Sequence, residues 1–287
     1  MSSLRDIKRR IKSVKSTQQI TKAMKMVAAA KLKRAQENIV AARPYAEKMQ
    51  EMITSISSKL PSDKSHPLFT AKEEGKTEVV LITSDRGLCG GFNGTLIRLT
   101  EKFIRENTDK ELIFNFLGKR GGEYFKRRDI EIAKSMPLGN KNPGYALASE
   151  IARDIISSYE RDEDNTNEVY VIYSQFQSAL VQTPTIQKIL PMEPEEGETE
   201  DQRELLFEPS PMEVLDSLLP KYVEGQIFRA LLESAASEHG ARMTSMDSAS
   251  KNASSMIDSL TLQYNRVRQA AITKELMEII SGSEAVK

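Results

Sequence analysis

The sequence predicts an α/β protein in which long N- and C-terminal helices form an antiparallel coiled coil, with a doubly wound α/β layer inserted between them. The first observation is a heptad repeat at each end of the 287-residue chain. The second is an alternation of strand-like apolar runs and amphipathic helices in the middle. The third is that the longest strongly apolar run covers only residues 79–82, so no segment is expected to insert into a bilayer.

The N-terminal helix is predicted from a heptad repeat that keeps one register from position 4 to position 60. Fourteen of its seventeen positions are apolar, and we call this row the first seam. The first seam consists of Leu4, Ile7, Ile11, Val14, Gln18, Thr21, Lys25, Ala28, Leu32, Ala35, Ile39, Ala42, Ala46, Met49, Ile53, Ile56 and Leu60. Pro44 is expected to kink the helix or loosen its preceding turn, and Pro61 to end it.

Three consecutive polar residues interrupt the first seam, namely Gln18, Thr21 and Lys25. Beside them runs a second apolar row, which we call the side stripe and which consists of Ile20, Met24 and Val27. Two interpretations are open. The supercoil relaxes locally because 3.6 residues per turn do not match a 3.5-residue repeat, or the side stripe meets a third surface.

The C-terminal helix is predicted from a second heptad row in which ten of twelve positions are apolar. This second seam consists of Leu232, Ala236, His239, Met243, Met246, Ser250, Ala253, Ile257, Leu260, Tyr264, Val267 and Ala271. The row fails at Lys274 and Glu278, where Ile272, Leu276 and Ile279 form a new stripe. Helices of about 60 residues would be roughly 90 Å long and must project from a compact domain. Two seams in one chain most simply bury each other, and a compact insert makes the pair antiparallel.

The middle of the chain is predicted to alternate strands with helices. The predicted strands cover residues 77–83, 111–117, 169–173 and 180–190, and Pro184 places the last of them at a sheet edge. A glycine-rich turn, SDRGLCGGFNG at residues 84–94, follows the first strand and precedes a helix. A dinucleotide-binding fingerprint occupies the same place between a strand and a helix. Lys119 and Arg120 follow the second strand, and their charges are compatible with holding the 2′-phosphate of such a dinucleotide.

The spacing in this turn is G-x-x-G-G-x-x-G, which is neither the dinucleotide fingerprint nor a P-loop. A structural turn is therefore favoured, with Cys89 as a packing residue and with Asp85 and Arg86 paired together or capping the next helix. No carboxylate dyad, metal-ligand spacing or Ser/His/Asp set is present in the sequence, so no catalytic residue, metal or cofactor is predicted. His239, on the second seam, is expected to be a packed core residue.

The net charge of zero conceals a strong segregation of charge. Residues 1–43 carry twelve Lys/Arg and two Asp/Glu, a net charge of +10, whereas residues 193–213 carry nine Asp/Glu and one Arg, a net charge of −8. The two segments are expected to meet charged partners or each other, unless they are simply solvated faces. A globally basic nucleic-acid binder is disfavoured.

Four segments carry a resemblance to a known family: ITKAMKMVAAAKL (20–32), RPYAEKM (43–49), SDRGLCGGFN (84–93) and YNRVRQAAITKELMEIISG (264–282). They resemble the gamma subunit of the rotary F-type ATP synthase, bacterial type, and the resemblance covers the whole chain. The family often ends Gly-Ala where this chain has Gly282-Ser283. The chain also lacks the two-cysteine insert of the chloroplast branch, so no thiol switch is implied.

The resemblance implies an antiparallel coiled coil carrying an inserted Rossmann-like α/β domain. The expected parts are an N-terminal coiled-coil helix (1–60), a linker (61–76), the Rossmann-like domain (77–192), an acidic linker (193–211) and a C-terminal coiled-coil helix (212–285). It implies a central-stalk rotor shaft that is not an enzyme. The implied partners are the alpha and beta subunits of the catalytic head, the epsilon subunit and the membrane c-ring, without nucleic acid and without insertion into the membrane.

The resemblance also implies a set of contacts with the beta subunit, made by Lys22, Met24, Lys25, Arg242, Arg268, Gln269 and Thr273. Because Leu4 and Ile7 already belong to the first seam, no transit peptide is expected. A bacterial protein at the cytoplasmic face of the cell membrane is therefore expected. The acidic residues 193–213 are expected near the foot of the stalk and the epsilon subunit. The coupling ion cannot be identified from the sequence.

Two other functions compete with the rotor interpretation. One is an NADP-dependent oxidoreductase with coiled-coil arms, which predicts saturable NADP binding. The other is a coiled-coil nucleic-acid adaptor that uses residues 5–34, which predicts salt-sensitive binding to DNA or RNA. The absence of base-stacking aromatic residues from those positions argues against the adaptor.

Overall fold

The computed structural model describes residues 3–57, 66–72, 74–139, 143–161, 166–192 and 210–285. The chain forms two compact units: unit 1 contains Met1–Ala28 and Met243–Lys287, and unit 2 contains Ala29–Arg242. Two long helices, α1 (Leu4–Ser57) and α5 (Pro211–Ala285), each supply residues to both units. The two long terminal helices predicted from the heptads are therefore confirmed.

Local sequence explains where both long helices begin. The Ser3 hydroxyl accepts a hydrogen bond from the Asp6 amide and caps α1. At the start of α5 the Ser210 hydroxyl accepts from the Glu213 amide and also bonds the Glu213 carboxylate, with Pro211 at the first helical position.

Unit 1 is an antiparallel helix pair. Thr21 of α1 lies opposite Ser250 of α5, and Lys25, one turn later, lies opposite Asp247. Because the partner number falls as the α1 number rises, the two helices run in opposite directions. First-seam positions in this unit are all buried or half-buried.

The second seam is confirmed only as far as Val267. Its positions from Met243 to Val267 are buried or half-buried, but every residue from Arg268 to Ser281 is exposed. The prediction that Ala271 belongs to the seam is therefore wrong, because no part of α1 covers that stretch of α5 within the described residues.

Unit 2 contains one mixed sheet with the strand order β3-β2-β1-β4-β5. The strands are β1 (Lys76–Ile82), β2 (Leu112–Leu117), β3 (Glu131–Met136), β4 (Thr166–Phe176) and β5 (Gln182–Leu190). The first four are parallel, whereas β5 is antiparallel to β4 and forms an edge that contains Pro184. The four predicted strands are confirmed, and β3 is an additional strand that the sequence analysis did not identify.

Helices cover both faces of this sheet, as the doubly wound prediction requires. They are α2 (Phe92–Glu106), α3 (Lys119–Phe125) and α4 (Tyr145–Glu160), together with a short 3₁₀ helix at Pro67–Phe69. One face packs against α4 and against the unit 2 parts of α1 and α5. The other face packs against α2 and α3, where the rings of Phe116 and Phe125 stack with centroids 5.4 Å apart.

Two remaining expectations concern the linkers and the membrane. Residues 193–209, which make up most of the predicted acidic linker, lie outside the described residues, as do 61–65 and 73 of the first linker and 58–60 at the predicted end of the N-terminal helix. Across the part of the chain that the structure describes, no helix combines the length and the apolar character needed to cross a bilayer.

Candidate functional site

The carboxyl edge of the sheet between β1 and β4 is where doubly wound proteins bind ligands, because the strand order reverses there. In unit 2 the helix α5 occupies this edge. The Ser237 hydroxyl donates to the Ser174 carbonyl at 3.0 Å. A Cβ atom added at Gly240 would lie 3.3 Å from the Cα of Ala179, so α5 and the β4–β5 hairpin are in close contact. The protein's own helix therefore packs against the edge of the sheet where a dinucleotide would bind.

The glycine-rich turn after β1 is held together by its own side chains. The Asn93 amide donates to the Ser84 hydroxyl at 2.8 Å and to the Cys89 sulfur at 3.3 Å, while its oxygen accepts from the Ser84 amide. Cys89 is buried in this network. Gly90 adopts φ 57°, and Leu88 adopts φ 63° with its side chain exposed. These contacts support the structural interpretation of the turn.

Asp85 has a different role from either of the two that the sequence suggested. Its carboxylate accepts from the amides of Lys119 at 3.0 Å, Leu138 at 3.2 Å and Gly139. Asp85 thus caps α3 and holds the loop after β3 by hydrogen bonds. The prediction that it pairs with Arg86 or caps α2 is therefore wrong. The sequence could not show that three segments distant along the chain meet at this carboxylate.

Arg242 connects α5 to the glycine-rich turn. Its guanidinium forms an ion pair with Glu238 at 2.6 Å and donates to the carbonyls of Arg86 and Gly87 at 3.3 and 3.2 Å. Burial raises the pKa of the Glu238 carboxyl, although the Arg242 charge opposes that shift. The predicted contact residue Arg242 is thus half-buried and already bonded within unit 2.

His239 is buried beside Arg242, as the sequence analysis expected of a core residue. Desolvation lowers the pKa of its imidazole to about 4, and the positive charges of Arg242 and Lys31 act in the same direction. The imidazole is therefore neutral at pH 7.

In unit 1 the structure separates two groups of residues that the sequence placed side by side. The polar first-seam residues face α5: Thr21 is only 7% exposed, and the half-buried Lys25 bonds to Asp247. The side stripe points outward, with Ile20 57% and Val27 58% exposed and Met24 half-buried. The polar positions of the first seam therefore still face α5, and both interpretations of the side stripe stay predictions.

The remaining predicted contact residues lie on exposed helix surface of unit 1. Lys22 is exposed on α1, and Arg268, Gln269 and Thr273 are exposed on α5 beyond the covered part of the second seam. The Thr273 hydroxyl bonds only locally, to the Gln269 carbonyl at 3.0 Å, among the contacts that the structure describes. The stripe of Ile272, Leu276 and Ile279 is exposed beside them, so this end of α5 offers both polar and apolar groups.

Asp247 was not predicted from the sequence; it pairs with Lys25 at 2.6 Å and with Lys251 at 2.9 Å. Hydrogen bonds from Lys25 and then from Lys251 lower the pKa of the Asp247 carboxyl to about 2. The signal was present, since aligning the two seams in opposite directions brings positions 25 and 247 together.

These features define a coiled-coil protein with an inserted doubly wound domain, whose exposed helix faces are suited to contacts with other proteins. The family model described as ATP synthase matches residues 3–286. A Geobacter metallireducens protein named ATP synthase gamma chain is 52% identical over 290 residues, and one from Moorella thermoacetica is 48% identical over 287; each match covers both chains fully. The chain belongs to the ATP synthase gamma chain family.

Solved structures agree with this assignment. A chain of the Tetrahymena thermophila mitochondrial ATP synthase, in a structure titled central stalk/c-ring, aligns with a TM-score of 0.60 and 26% identity. That alignment covers 80% of this chain and 99% of the other. A chain from the Euglena gracilis mitochondrial ATP synthase has a TM-score of 0.69 at 17% identity, covering 99% and 94%, and supports the fold. The predicted family and fold class are confirmed.

Proposed function

We propose that this protein is the rotor shaft in the central stalk of an F-type ATP synthase. It couples proton flow through the membrane c-ring to ATP synthesis or hydrolysis in the catalytic head by rotation, and it performs no chemistry itself. The observation that carries the proposal is the full-length match at about half identity to proteins named ATP synthase gamma chain.

The architecture suits a part that transmits torque. A pair of supercoiled helices is stiffer than one helix, and the helix pair of unit 1 keeps its register through the polar positions of the first seam. Beyond Val267 the exposed end of α5 presents uneven polar and apolar faces. An uneven surface is what a rotating shaft needs in order to act differently on each surrounding subunit.

The partners in this proposal are the alpha and beta subunits, the epsilon subunit and the c-ring. Contacts with beta are assigned to Lys22, Met24, Lys25, Arg242, Arg268, Gln269 and Thr273. The net charge of +10 on residues 1–43 supports attraction to acidic segments of beta. Such attraction is long-range and screened by salt, so it holds the shaft near its partners without fixing it in one position.

Three finer assignments belong to the same proposal. The domain boundaries are those expected from the sequence, with the Rossmann-like domain at 77–192 between coiled-coil helices at 1–60 and 212–285. The acidic residues 193–213 lie near the ring-proximal foot and the epsilon subunit. The protein lies at the cytoplasmic face of the cell membrane, as a peripheral subunit. Charge reversal of residues 195–201 should weaken epsilon binding, and a variant that binds and couples normally would contradict the second assignment.

Co-purification from cells that express the whole complex tests the function directly. A tag on this chain should recover alpha, beta and epsilon subunits in fixed proportion. Membranes that carry the complex should pump protons when given ATP. Recovery of the chain without these subunits would overturn the proposal.

The two competing functions are tested on the same purified chain. Saturable binding of NADP at micromolar concentrations would favour the oxidoreductase, although α5 packs against the edge of the sheet where the dinucleotide would bind. Salt-sensitive binding of DNA or RNA, lost when the Lys and Arg residues of 5–34 are neutralised, would favour the adaptor.

A further inference from the structure

Two polar contacts connect the helices of unit 1 across their interface. The hydroxyls of Thr21 and Ser250 are 3.1 Å apart, and both side chains are buried. Both hydroxyls also lie near the Gln18 carbonyl, at 3.0 and 3.4 Å. With Thr21 donating to the Ser250 hydroxyl and Ser250 donating to the Gln18 carbonyl, the hydroxyl pair is anchored to the α1 backbone. One turn along, the Lys25 ammonium lies 2.6 Å from the Asp247 carboxylate.

Apart from the buried Met246, the surrounding part of α5 has few large side chains that would resist sliding. In a coiled coil the register is normally held by large side chains that insert into holes on the facing helix. Between positions 245 and 255 α5 carries mainly small side chains, namely Ser245, Ser248, Ala249, Ser250, Ala253, Ser254 and Ser255. A smooth surface of this kind packs closely but discriminates weakly between neighbouring alignments.

We infer that Thr21–Ser250 and Lys25–Asp247 form a brace that holds α1 and α5 of unit 1 against sliding along each other. The buried Thr21 and Ser250 hydroxyls select one alignment, because any other alignment leaves them unpaired between the helices. Lys25 and Asp247 have side chains that are 44% and 32% exposed, so their ion pair contributes less, since water screens it. The brace thereby fixes how the side stripe of α1 is placed relative to the exposed face of α5. In this inference Lys25 is a positioning residue that acts through Asp247.

This role rests on the proposed function in one respect. If the chain transmits torque, load on the helix pair favours sliding, and each residue of sliding displaces the side stripe by about 1.5 Å. A braced pair of helices transmits the load while the side stripe of α1 and the exposed face of α5 stay aligned. In an unbraced pair, part of the rotation is lost because the two helices slide along each other.

The test measures the distance between the two helices by pulsed electron resonance on the full chain assembled with alpha, beta and epsilon subunits. Spin labels are attached at Gln19→Cys on α1 and Ser254→Cys on α5, two exposed positions of unit 1. The brace-free variant carries Thr21→Val, Lys25→Leu, Asp247→Leu and Ser250→Ala. The matched control carries Lys15→Leu and Thr17→Val on the exposed face of α1.

The parent chain and the control should give one narrow distance distribution. The brace-free variant should widen it by at least about 1.5 Å, the rise of one helical residue, while its melting temperature stays the same or increases. A conservative variant of the parent chain, Thr21→Ser with Lys25→Arg, keeps both polar contacts possible and should keep the narrow distance distribution. An unchanged width in the brace-free variant would overturn the inference.

If the fourfold variant does not fold, Thr21→Val with Ser250→Ala removes the hydroxyl pair alone and is measured in the same way. Proton pumping per ATP hydrolysed is then assayed in the assembly with Thr21→Val and Ser250→Ala, which keeps the proposed beta contact Lys25. Wider distances with a lower ratio support the brace as part of coupling. Wider distances with an unchanged number of protons pumped per ATP would support the alignment role and overturn its link to torque. Failure of the chain to co-purify with alpha, beta and epsilon subunits would overturn the proposed function, independently of the brace.

Discussion

The two units of this chain achieve stability in different ways. Unit 2 has large apolar cores on both faces of its sheet, containing fully buried side chains such as Phe114, Ile155 and Ile227. Unit 1 has an interface of mostly small or half-buried residues, with Ile7 and Met246 as large buried ones and a polar contact between Thr21 and Ser250. Sequence changes should therefore affect stability mainly in unit 2 and alignment or partner contacts mainly in unit 1.

The largest expected loss of stability in unit 2 comes from Gly118→Ala. Gly118 adopts φ 96°, and an added Cβ atom would lie 2.0 Å from the Thr83 carbonyl oxygen, so the backbone must move. We expect a loss of roughly 4 kcal/mol or more in the free energy of unfolding, measured by urea denaturation. Gly225→Ala is the control, because no atom lies within 4 Å of its added Cβ. The control should gain up to about 1 kcal/mol, since alanine is the better helix former.

Lowering the pH should destabilise unit 2 through His239. The pKa of His239 is about 4 in the folded chain and 6.5 for a histidine in the unfolded chain, so between these values the unfolded chain binds a proton that the folded chain does not. The free energy of unfolding should therefore fall as the pH decreases from about 6.5 to 4, by at most about 3 kcal/mol. Above pH 6.5 this contribution is complete.

Urea denaturation at a series of pH values measures this dependence. The variant His239→Leu should lose most of it. Some dependence in the same direction should remain from His66, whose pKa is lowered by burial against the opposing effect of Asp216. An equally steep dependence in His239→Leu would show that other groups are responsible.

A matched pair of isoleucines compares the two units directly. Ile227 is fully buried in unit 2, whereas Ile257 is half-buried in unit 1. Truncation to alanine at Ile227 should cost about 3 kcal/mol, because it removes apolar contacts and leaves a cavity. The same truncation at Ile257 should cost about 1 kcal/mol. Equal costs, measured by urea denaturation, would contradict the contrast between the units.

The sequence predicted the elements whose burial repeats along the chain. The first seam was correct from Leu4 to Ile56, because a 3.5-residue period identifies the buried face even where Thr21 and Lys25 are polar. The strand β3 was missed because four of its six residues are exposed, so it lacks the apolar pattern of a buried strand. The extent of the second seam was overestimated, since coverage of Ala271 depends on where α1 begins.

The candidate site was less predictable than the fold, because its groups meet through tertiary contacts. Arg242 was identified by resemblance, but its bonds to Glu238 and to the glycine-rich turn depend on how α5 packs on the sheet. Lys25 was predicted as a partner contact, and that assignment stays a prediction. Its pairing with Asp247 followed only from the helix alignment.

The variant Met24→Lys should have the smallest effect on stability but a large effect on the coupling of proton flow to ATP turnover. Met24 lies on the side stripe between exposed Ile20 and Val27, so a lysine there can extend into solvent. The free energy of unfolding should change by no more than about 0.5 kcal/mol. The new charge beside Lys22 should nevertheless disturb contacts with the beta subunit, so proton pumping should fall more than assembly.

Met26→Lys is the matched control for this variant. Met26 is 67% exposed and lies two residues further along α1, on a different side of the helix, so it receives the same charge outside the side stripe. If the side stripe faces the beta subunit, ATP-driven pumping should decrease in Met24→Lys far more than in Met26→Lys, while both complexes assemble. Equal pumping in the two variants would show that added charge acts without regard to helix face, and the side stripe would then have no special role in coupling.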